Sequence, residues 1–369
     1  MSFDFPASPT VNQVFTGSNG AQYQWTGTVW NQVSGNPVLL TAQARNRLVN
    51  PAMQISQELG DTGSVVTASY AADQWVLLSN GVPNNGAFRS STQPVTPNGS
   101  TRRLGLTVNT IKASLAAGDY HTVYQSIEGI RMAELMWGTA SAVPLVLRFT
   151  ARSSAAVGTF CFALRNSGAT QSYLGEFQVP AINTDYVITA VIPGSTSGSW
   201  PVDNTLWGSL AFALAAGTTF QGVAGWQASN KLATGNITNG DAVAGALFIT
   251  DVGLYADPQN TGVPPPWVMP DEAEELRACQ RYYFKASSGQ TNVYYYGTGG
   301  TGFFDAGMIP FLTQMRTTPA TAIVTAPALT NCTLPTITPL PYSAILHVTV
   351  TATGLFLAAN GVYAFSARM

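Results

Sequence analysis

The sequence predicts a mainly β protein with one short helix late in the chain. Many segments alternate apolar and polar residues with a period of two, and clusters of Gly, Pro, Asn and Ser separate them at fairly even spacing. One later stretch instead combines the signals of a helix start with apolar residues on one helical face. At 369 residues the chain is long for a single domain, so we expect several.

Residues 1–40 predict a small β unit. Glycine-containing turns at 17–20 and 26–27 separate alternating segments, which is the pattern of a hairpin or a three-stranded meander. So short a unit cannot form a stable core of its own, and we expect it to dock on a partner or on its own copies. The candidates for that contact are its aromatic residues Phe15, Tyr23, Trp25 and Trp30.

The next two segments predict a short helix and then a β-sandwich. Residues 41–49 have the pattern of a linker helix that ends before Pro51. Residues 50–258 carry short strands separated by turn residues, as in one elaborated sandwich. Residues 130–136 have helical propensity but lie between two predicted strands, so helix and strand both stay open there. The clearest predicted strands are 104–111, 143–151, 159–164, 186–192, 206–214 and 246–255.

The composition changes after the sandwich. Residues 259–284 begin with a Pro-rich, polyproline-type linker and continue with a helix. Asp271 is placed to cap this helix, and acidic residues in the first turn suit the positive end of its dipole. Residues 285–369 return to β patterning, most clearly at 347–351 and 362–365. One face of the helix is the candidate oligomer interface, with Ala273, Leu276, Gln280 and Tyr283.

Charge is scarce, and this excludes several classes of protein. Only 9% of the residues are charged, against roughly 25% in a typical soluble domain, and the formal net charge is −2. We therefore expect no nucleic-acid partner, since there is no basic excess, and no membrane insertion, since there is no apolar run of about 18 residues. The high hydrophobic content excludes disorder. We expect no secretory signal and synthesis in a cytoplasm.

The longest stretch without charge lies between Arg316 and Arg368. It spans several predicted strands and must have an outer face, yet exposed β surfaces normally carry charges that prevent aggregation. Packing several copies together would make those charges unnecessary. We therefore expect an obligate oligomer whose main interface is formed by residues 285–369.

The residues of common catalytic and metal sites are few and without pattern. There is no nucleophile elbow, no paired-cysteine motif and no phosphate-binding loop, and the glycine-rich residues 297–302 predict a flexible loop. His121 is expected in a surface turn, although it could pair with Asp119, and His347 is expected to be buried and hydrogen-bonded. We predict no catalytic residue, no metal site and no cofactor. The acidic residues that show no pairing signal for a glycosidase are Glu128, Glu134, Glu176, Asp185 and Asp241.

The three cysteines are expected to be free, buried thiols. Cys161, Cys279 and Cys332 are odd in number and widely spaced, so they form neither a disulfide framework nor a metal pattern.

The order of several motifs resembles that of phage virion proteins. Residues 5–10, 15–17 and 23–30 resemble the N-terminal attachment repeat of many phage fibre and neck proteins. Residues 48–53 and 70–75 resemble the opening of a jelly-roll module of phage tail-fibre proteins, which is similar to carbohydrate-binding modules.

The resemblance continues to about residue 285. Residues 125–129 and 249–255 resemble the middle and closing strands of the module, and 275–283 the helix that commonly follows it. The resemblance implies a receptor-binding virion fibre or spike, usually a homotrimer, that attaches to tail, collar or head proteins and binds host surface polysaccharide. It would be made in the host bacterial cytoplasm and located on the virion. The alternatives are a purely architectural collar, neck or head decoration protein and, third, a capsule depolymerase.

Under this resemblance the parts of the chain have distinct expected roles. Residues 1–40 would attach to the virion, 50–258 would form the carbohydrate-binding-like jelly roll, and 285–369 the oligomerisation and tip domain. Sugar binding needs aromatic rings for the apolar face of a pyranose, with amide or hydroxyl groups beside them. The glycan-binding candidates in the jelly roll are Tyr173, Trp200, Trp207 and Trp226, although ordinary sandwich core is the more common role for such residues. Those in the tip are Tyr294, Tyr295 and Tyr296, because consecutive residues of a strand point to both faces.

Overall fold

The computed structural model describes residues 5–16, 22–34, 45–286 and 295–369. Within these ranges the protein is mainly β, as predicted, with 26 strands and one α-helix. The strand pairs are antiparallel except for one short parallel pair, β14 (Gln221–Gly222) with β16 (Ala233–Thr234).

The N-terminal strands form the predicted three-stranded meander. It consists of β1 (Val14–Thr16), β2 (Gln22–Trp25) and β3 (Trp30–Ser34), paired in that order. The ring of Phe5 lies against those of Phe15, Tyr23 and Trp30, with centroid separations of 5.2, 5.1 and 5.2 Å. These aromatic contacts hold the small sheet together in the absence of a larger core.

The predicted linker helix is not confirmed. Residues 41–44 lie outside the described ranges, and residues 45–49 form no helix. Their polar groups bond to the sandwich instead: the Arg47 N–H donates to the Leu254 carbonyl at 3.0 Å, and the Val49 N–H donates to Gln125 Oε1 at 2.8 Å. Tertiary hydrogen bonds therefore override the local helical propensity.

Two antiparallel sheets form the jelly-roll sandwich. The larger sheet has seven strands in the order β15-β11-β10-β13-β8-β5-β4, and the smaller has five in the order β12-β9-β17-β7-β6. Every strand predicted for this region overlaps a strand of these sheets, although residues 109–111 and 143–144, predicted as strand, lie outside them. The strands of the larger sheet are β4 (Tyr70–Ala72), β5 (Trp75–Asn80), β8 (Tyr120–Glu128), β10 (Gly158–Asn166), β11 (Ser172–Val179), β13 (Leu206–Ala216) and β15 (Gly225–Gln227). Those of the smaller are β6 (Gly86–Ser90), β7 (Arg103–Val108), β9 (Leu145–Ser153), β12 (Tyr186–Ile192) and β17 (Gly245–Ala256).

An aromatic core fills the space between the two sheets. Phe149 of the smaller sheet packs edge-on against Phe177 and Phe212 of the larger one, with centroid separations of 5.0 and 4.9 Å. Trp75 lies 6.1 Å from Phe212 and is fully buried. Each buried ring of this kind contributes about 1.5–3 kcal/mol to folding relative to an exposed one.

Residues 130–136 are neither α-helix nor strand. They form two short 3-10 turns, Gly129–Arg131 and Ala133–Leu135. The Ile130 N–H donates to the Asp203 carbonyl at 2.7 Å, which ties the first turn to the loop before β13. This tertiary bond fixes a compact turn where propensity alone favoured a longer element.

His121 is a core residue, contrary to the predicted surface turn. It lies in β8 with no exposed surface, and its ring nitrogens contact Asp241 Oδ1 at 2.9 Å and the Gly86 carbonyl at 3.0 Å. It does not pair with Asp119, which bonds to Lys112 instead. His347 is half-buried in β24 (Ser343–Val350), where Nε2 lies 2.9 Å from Thr338 Oγ1.

The Pro-rich linker runs along the outer face of the five-stranded sheet to α1 (Glu272–Gln280). Asp271 caps α1 as predicted, accepting from the N–H groups of Ala273 and Glu274 at 2.9 and 3.0 Å. The buried side of α1 packs against residues 49–55 of the sandwich. All three cysteines are free and buried, as predicted.

The C-terminal residues form three small antiparallel sheets of three strands each. Residues 297–302 are predicted as a flexible loop, but 297–299 pair with 354–356 and Gly302 pairs with Val350, so most of them belong to paired strands. The first sheet contains β18 (Tyr283–Ala286), β26 (Val362–Ser366) and β21 (Ala320–Thr325). The second contains β19 (Tyr295–Gly299), β25 (Gly354–Ala359) and β22 (Ala328–Thr330), and the third contains β20 (Gly302–Pro310), β24 and β23 (Thr336–Pro339).

Candidate functional site

Three of the predicted glycan-binding residues come together around Trp137, and two of them are buried in the core. Trp200, Trp207 and Trp226 surround Trp137 at centroid separations of 4.8, 4.9 and 5.6 Å. Trp207 is 1% exposed and Trp200 is 7% exposed, so neither offers a ring face to a sugar. Their prediction as glycan ligands is wrong, because they close the space between the sheets.

Tyr173 and Trp226 lie at the rim of this core and are half-buried. Their polar atoms bond to backbone carbonyls: Tyr173 Oη donates to Val191 and Trp226 Nε1 donates to Pro193, both at 3.1 Å. These bonds occupy the groups that a sugar hydroxyl would use.

The tyrosines of the C-terminal region remain predictions. Tyr294 lies outside the described residues. Tyr295 and Tyr296 lie in β19 and are paired with Ala358 and Leu357 of β25. The structure places Tyr295 and Tyr296 on a strand, and their role as a contact patch stays a prediction.

The helix face predicted as an oligomer interface is only partly on the surface. Ala273 is exposed and Leu276 is half-buried, whereas Gln280 and Tyr283 are 4% and 6% exposed. Tyr283 belongs to β18 rather than to α1, and the guanidinium of Arg368 lies over its ring. Gln280 and Tyr283 therefore make contacts within the chain, and the predicted face is corrected to that extent.

The outer face of the seven-stranded sheet is the strongest candidate for a binding surface. Strand alternation places Tyr120, Tyr124 and Ser126 of β8 on this face, because Val123 and Ile127 point into the core. Neighbouring positions on β13 and β10 carry mostly small side chains, Ala211 and Ala163 among them. The side chains in the centre of the face are therefore short, and the tyrosine rings project further from the sheet.

Part of this face is covered by residues 217–239. Phe220 and Leu232 of this segment pack on Ala163 and Ala211, and the ring of Phe220 meets the edge of Tyr120 at a centroid separation of 4.9 Å. The segment thus borders the part of the face on which half-buried Tyr120 and Tyr124 lie. We call this surface the Tyr–Arg face, after Tyr120, Tyr124 and Arg165.

Arg165 of β10 is the buried cation of the Tyr–Arg face. Its guanidinium carbon lies 5.7 Å from the ring centroid of Tyr124, and the side chain is 8% exposed. Nη1 donates to Asn230 Oδ1 at 3.2 Å, whereas Nε has no hydrogen-bond partner among the described residues. No carboxylate in the described part of the chain forms an ion pair with it.

Burial lowers the pKa of the Arg165 guanidinium and raises the pKa of the Tyr124 phenol. Both shifts have the same cause, which is loss of water around a charge. The Tyr–Arg face is therefore a partly dry surface that holds the cation of Arg165 without a carboxylate partner. Such a surface can bind a ligand that has an apolar face for the rings and oxygen atoms for the guanidinium.

The sequence prediction missed Tyr120, Tyr124 and Arg165. The alternation in 120–128 could have placed both tyrosines on one face. No sequence signal indicated that β10 would pair at the distance that brings Arg165 beside them, because strand order depends on long-range contacts.

The acidic residues considered for catalysis are bound to structural partners. Glu128 accepts from Tyr282 Oη at 2.7 Å and pairs with Arg281, and Asp185 pairs with Arg103. Glu134 pairs with Arg47, Asp241 with His121, and Glu176 accepts from Thr234 and Asn236. Within the described ranges no group of three or more His, Cys, Asp or Glu residues could hold a metal ion.

None of the helices in the described residues is long and apolar enough to span a membrane.

No protein-family model and no curated protein matches this chain. Solved structures resemble its sandwich at low similarity. One is the enzymatically active domain of tailspike protein 4 of bacteriophage CBA120, with 11% identity and a TM-score of 0.32; the match covers 57% of this chain and 21% of that one. Another is TmCBM61, solved with β-1,4-galactotriose, with 11% identity, a TM-score of 0.30 and coverage of 58% and 99%.

A third is a protein from Bacteroides thetaiotaomicron VPI-5482 described as sugar-binding, with 11% identity and a TM-score of 0.34. That match covers 58% of this chain and 100% of the other. At these identities and scores the likeness concerns the fold alone and assigns no ligand to this chain.

Proposed function

We propose that this protein is a virion fibre or spike of a phage, that its sandwich binds a host cell-surface glycan without cleaving it, and that three copies assemble through the C-terminal sheets. The observation that carries the glycan proposal is the unpaired, buried Arg165 beside Tyr124 on the Tyr–Arg face. The virion role rests on the motif resemblance of residues 1–285.

The argument from Arg165 concerns the cost of burying a charge. Removing a cation from water costs several kcal/mol unless acceptors replace the water. Arg165 has one protein acceptor, Asn230, and an aromatic ring. Sugar hydroxyl groups would accept from the part of the guanidinium that stays accessible, while the C–H face of the pyranose covers Tyr124. Asn230 is exposed and could bond to the same sugar.

The trimer proposal rests on the apolar surface of the C-terminal region. The exposed side chains there include Phe303 at 65%, Leu312 at 71% and Leu355 at 54%. Residues 317–367 contain no charge. A monomer seldom exposes so much apolar β surface, whereas copies of the same chain would cover it. The number three comes from the motif resemblance.

Glycan binding by the full-length protein tests the first part of the proposal. We would screen an array of bacterial surface glycans and measure the affinity of the best ligand by calorimetry. Arg165→Gln and Tyr124→Ala should each weaken binding by roughly tenfold or more, since each removes a charged or stacking contact. Arg102→Gln, a change of the same kind on a more exposed arginine just before β7, is the matched control and should leave affinity unchanged.

An unchanged affinity in Arg165→Gln and Tyr124→Ala would contradict the assignment of the Tyr–Arg face. If the trimer bound no glycan while still entering particles, the architectural role would be supported instead.

A further inference from the structure

A second candidate binding surface lies on the opposite side of the sandwich from the Tyr–Arg face. It is an open groove of about 670 Å³ on the outer face of the five-stranded sheet, lined by Pro97, Asn98, Arg148 and residues 263–267. Arg148 points into it because its neighbours in β9, Leu147 and Phe149, point into the core. We call it the linker groove.

The Pro-rich linker forms a fixed wall of this groove. At its start, the Asp257 carboxylate accepts from the N–H groups of Thr261 and Gly262 at 2.9 and 2.7 Å. Near its end, the sulfur of Met269 lies 3.4 Å from Ser100 Oγ. The three consecutive prolines 264–266 have little conformational freedom to lose. The groove is therefore formed before any ligand arrives, which lowers the entropic cost of binding.

Gly262 allows the wall to lie close to the sheet. It has a φ of +68°, and a Cβ at this position would come within 3.0 Å of Val191 Cγ2 in β12. Another residue here would be strained in its backbone and would move the linker away from β12.

The groove contains a cation that no carboxylate neutralises. Arg148 Nη2 donates to Asn98 Oδ1 at 2.7 Å, and its guanidinium carbon lies 6.0 Å from the ring centroid of Trp267. In the described part of the chain, Arg148 forms no ion pair, and the enclosed Nε1 of Trp267 has no hydrogen-bond partner.

The nearby carboxylate does not neutralise this cation. Asp251 is fully buried and accepts from Thr96 at 2.8 Å, from Asn98 at 2.9 Å and from Thr150 at 3.1 Å, and it is also bonded by Ser100. Its oxygens are therefore satisfied by four neutral donors. Asn98 connects the two charges, since it donates to Asp251 and accepts from Arg148. The groove keeps a positive charge beside an indole ring and a row of prolines.

We propose that the linker groove is a second saccharide site, which takes a sugar residue that carries a carboxylate. The carboxylate would pair with Arg148, and the apolar face of the sugar would lie on the ring of Trp267 and on the prolines. This proposal rests on the saccharide-binding function proposed above, but it concerns other residues on the other sheet.

A matched pair of small ligands tests the charge requirement. We would titrate the full-length protein with methyl β-D-glucuronide and with methyl β-D-glucopyranoside, following binding by saturation-transfer NMR and calorimetry. The glucuronide should bind at least about tenfold more tightly, since an ionic hydrogen bond is roughly twice as strong as a neutral one. Equal affinity for the two glycosides would overturn the proposal.

Variants then locate the binding. Arg148→Gln and Trp267→Ala should each weaken glucuronide binding by about tenfold or more, whereas Val268→Ala, an exposed change in the same linker, should have no effect. Unfolding midpoints equal to that of the wild type would show that the variants are folded. Arg165→Gln should also leave glucuronide binding unchanged.

The remaining outcomes separate this proposal from the general one. If Arg165→Gln abolished glucuronide binding and Arg148→Gln did not, the linker-groove site would be refuted while saccharide binding at the Tyr–Arg face would stand. If a short poly-glutamate peptide competed with the glucuronide at equal affinity, the groove would bind carboxylates of any kind and the saccharide assignment would be overturned.

Discussion

The guanidinium carbon of Arg368 contacts two tyrosine rings. It lies 3.6 Å from the ring centroid of Tyr70 and 3.9 Å from the ring centroid of Tyr283. Arg368 is the penultimate residue of the chain, whereas Tyr70 belongs to β4 at the edge of the sandwich. Arg368 also pairs with Glu58. The guanidinium of Arg368 thus binds the end of the chain to the edge of the sandwich.

Substitution of Arg368 should loosen that connection. Arg368→Ala removes two aromatic contacts and an ion pair, so we expect the protein to lose about 2 kcal/mol of unfolding free energy. Arg277→Ala on the exposed side of α1 is the control and should change stability by less than about 0.5 kcal/mol. Urea unfolding measures both, and equal stability of the two variants would contradict the assigned role.

The stability of the α1 junction should depend on pH through Glu275. Burial raises the pKa of Glu275, although its carboxylate accepts from the Asn50 N–H. A carboxyl with a raised folded-state pKa holds its proton more tightly when folded, so the fold loses stability as the pH rises through that pKa. Glu275→Gln keeps an oxygen acceptor and should be more stable than wild type at pH 7, yet equal to it below about pH 4. Thermal unfolding at both pH values measures this.

The matched control for Glu275 is Glu274→Gln, which lies on the exposed side of the same helical turn. It should show no such pH-dependent gain. A less stable Glu275→Gln at pH 7 would mean that the charge supports the fold.

One chain has a mass of 38.9 kDa, and we expect the oligomer to have three times that mass. Light scattering at low micromolar concentration measures this. Leu312→Glu or Leu355→Glu would place a charge in the proposed interface and should shift the population towards monomer. Val66→Glu, at a similarly exposed position of the sandwich, should not. A folded wild-type monomer at this concentration would refute the trimer and the explanation of the missing charges.

The N-terminal unit should be required for incorporation into virions. Its half-buried aromatic cluster around Phe5 and Trp30 is small, and we expect it to complete its packing on a virion protein. A variant without residues 1–40 should remain a soluble oligomer but be absent from purified particles on immunoblots. Normal incorporation would show that attachment lies elsewhere.

Local patterns predicted the strands well because burial of one face imposes a period of two on each strand. The strand 186–192 was predicted at the bounds it has in the structure, and Asp271 caps its helix as expected. Both depend on residues that are close in sequence.

The candidate sites were predicted poorly because they depend on contacts between distant residues. Trp200 and Trp207 have the composition of a sugar platform, but the junction of the two sheets buries them. Arg165 and Tyr124 carry no local sequence signal of a site, because only the order of the strands in the sheet brings them together. Trp267 follows three prolines, and this pattern predicts only a linker. Its contact with Arg148, more than a hundred residues away in the sequence, leaves no local signal.

The linker between the sandwich and the C-terminal sheets has the composition of a flexible joint and the contacts of a rigid one. Asp257 fixes its start, Met269 its end, and beyond it Arg281 pairs with Glu128 of the sandwich. A pulling force on a glycan held by the sandwich would therefore pass to the C-terminal sheets through several contacts in parallel, with no slack to be taken up first. On a particle tethered to a moving surface, the protein would act as a stiff strut rather than as a hinge.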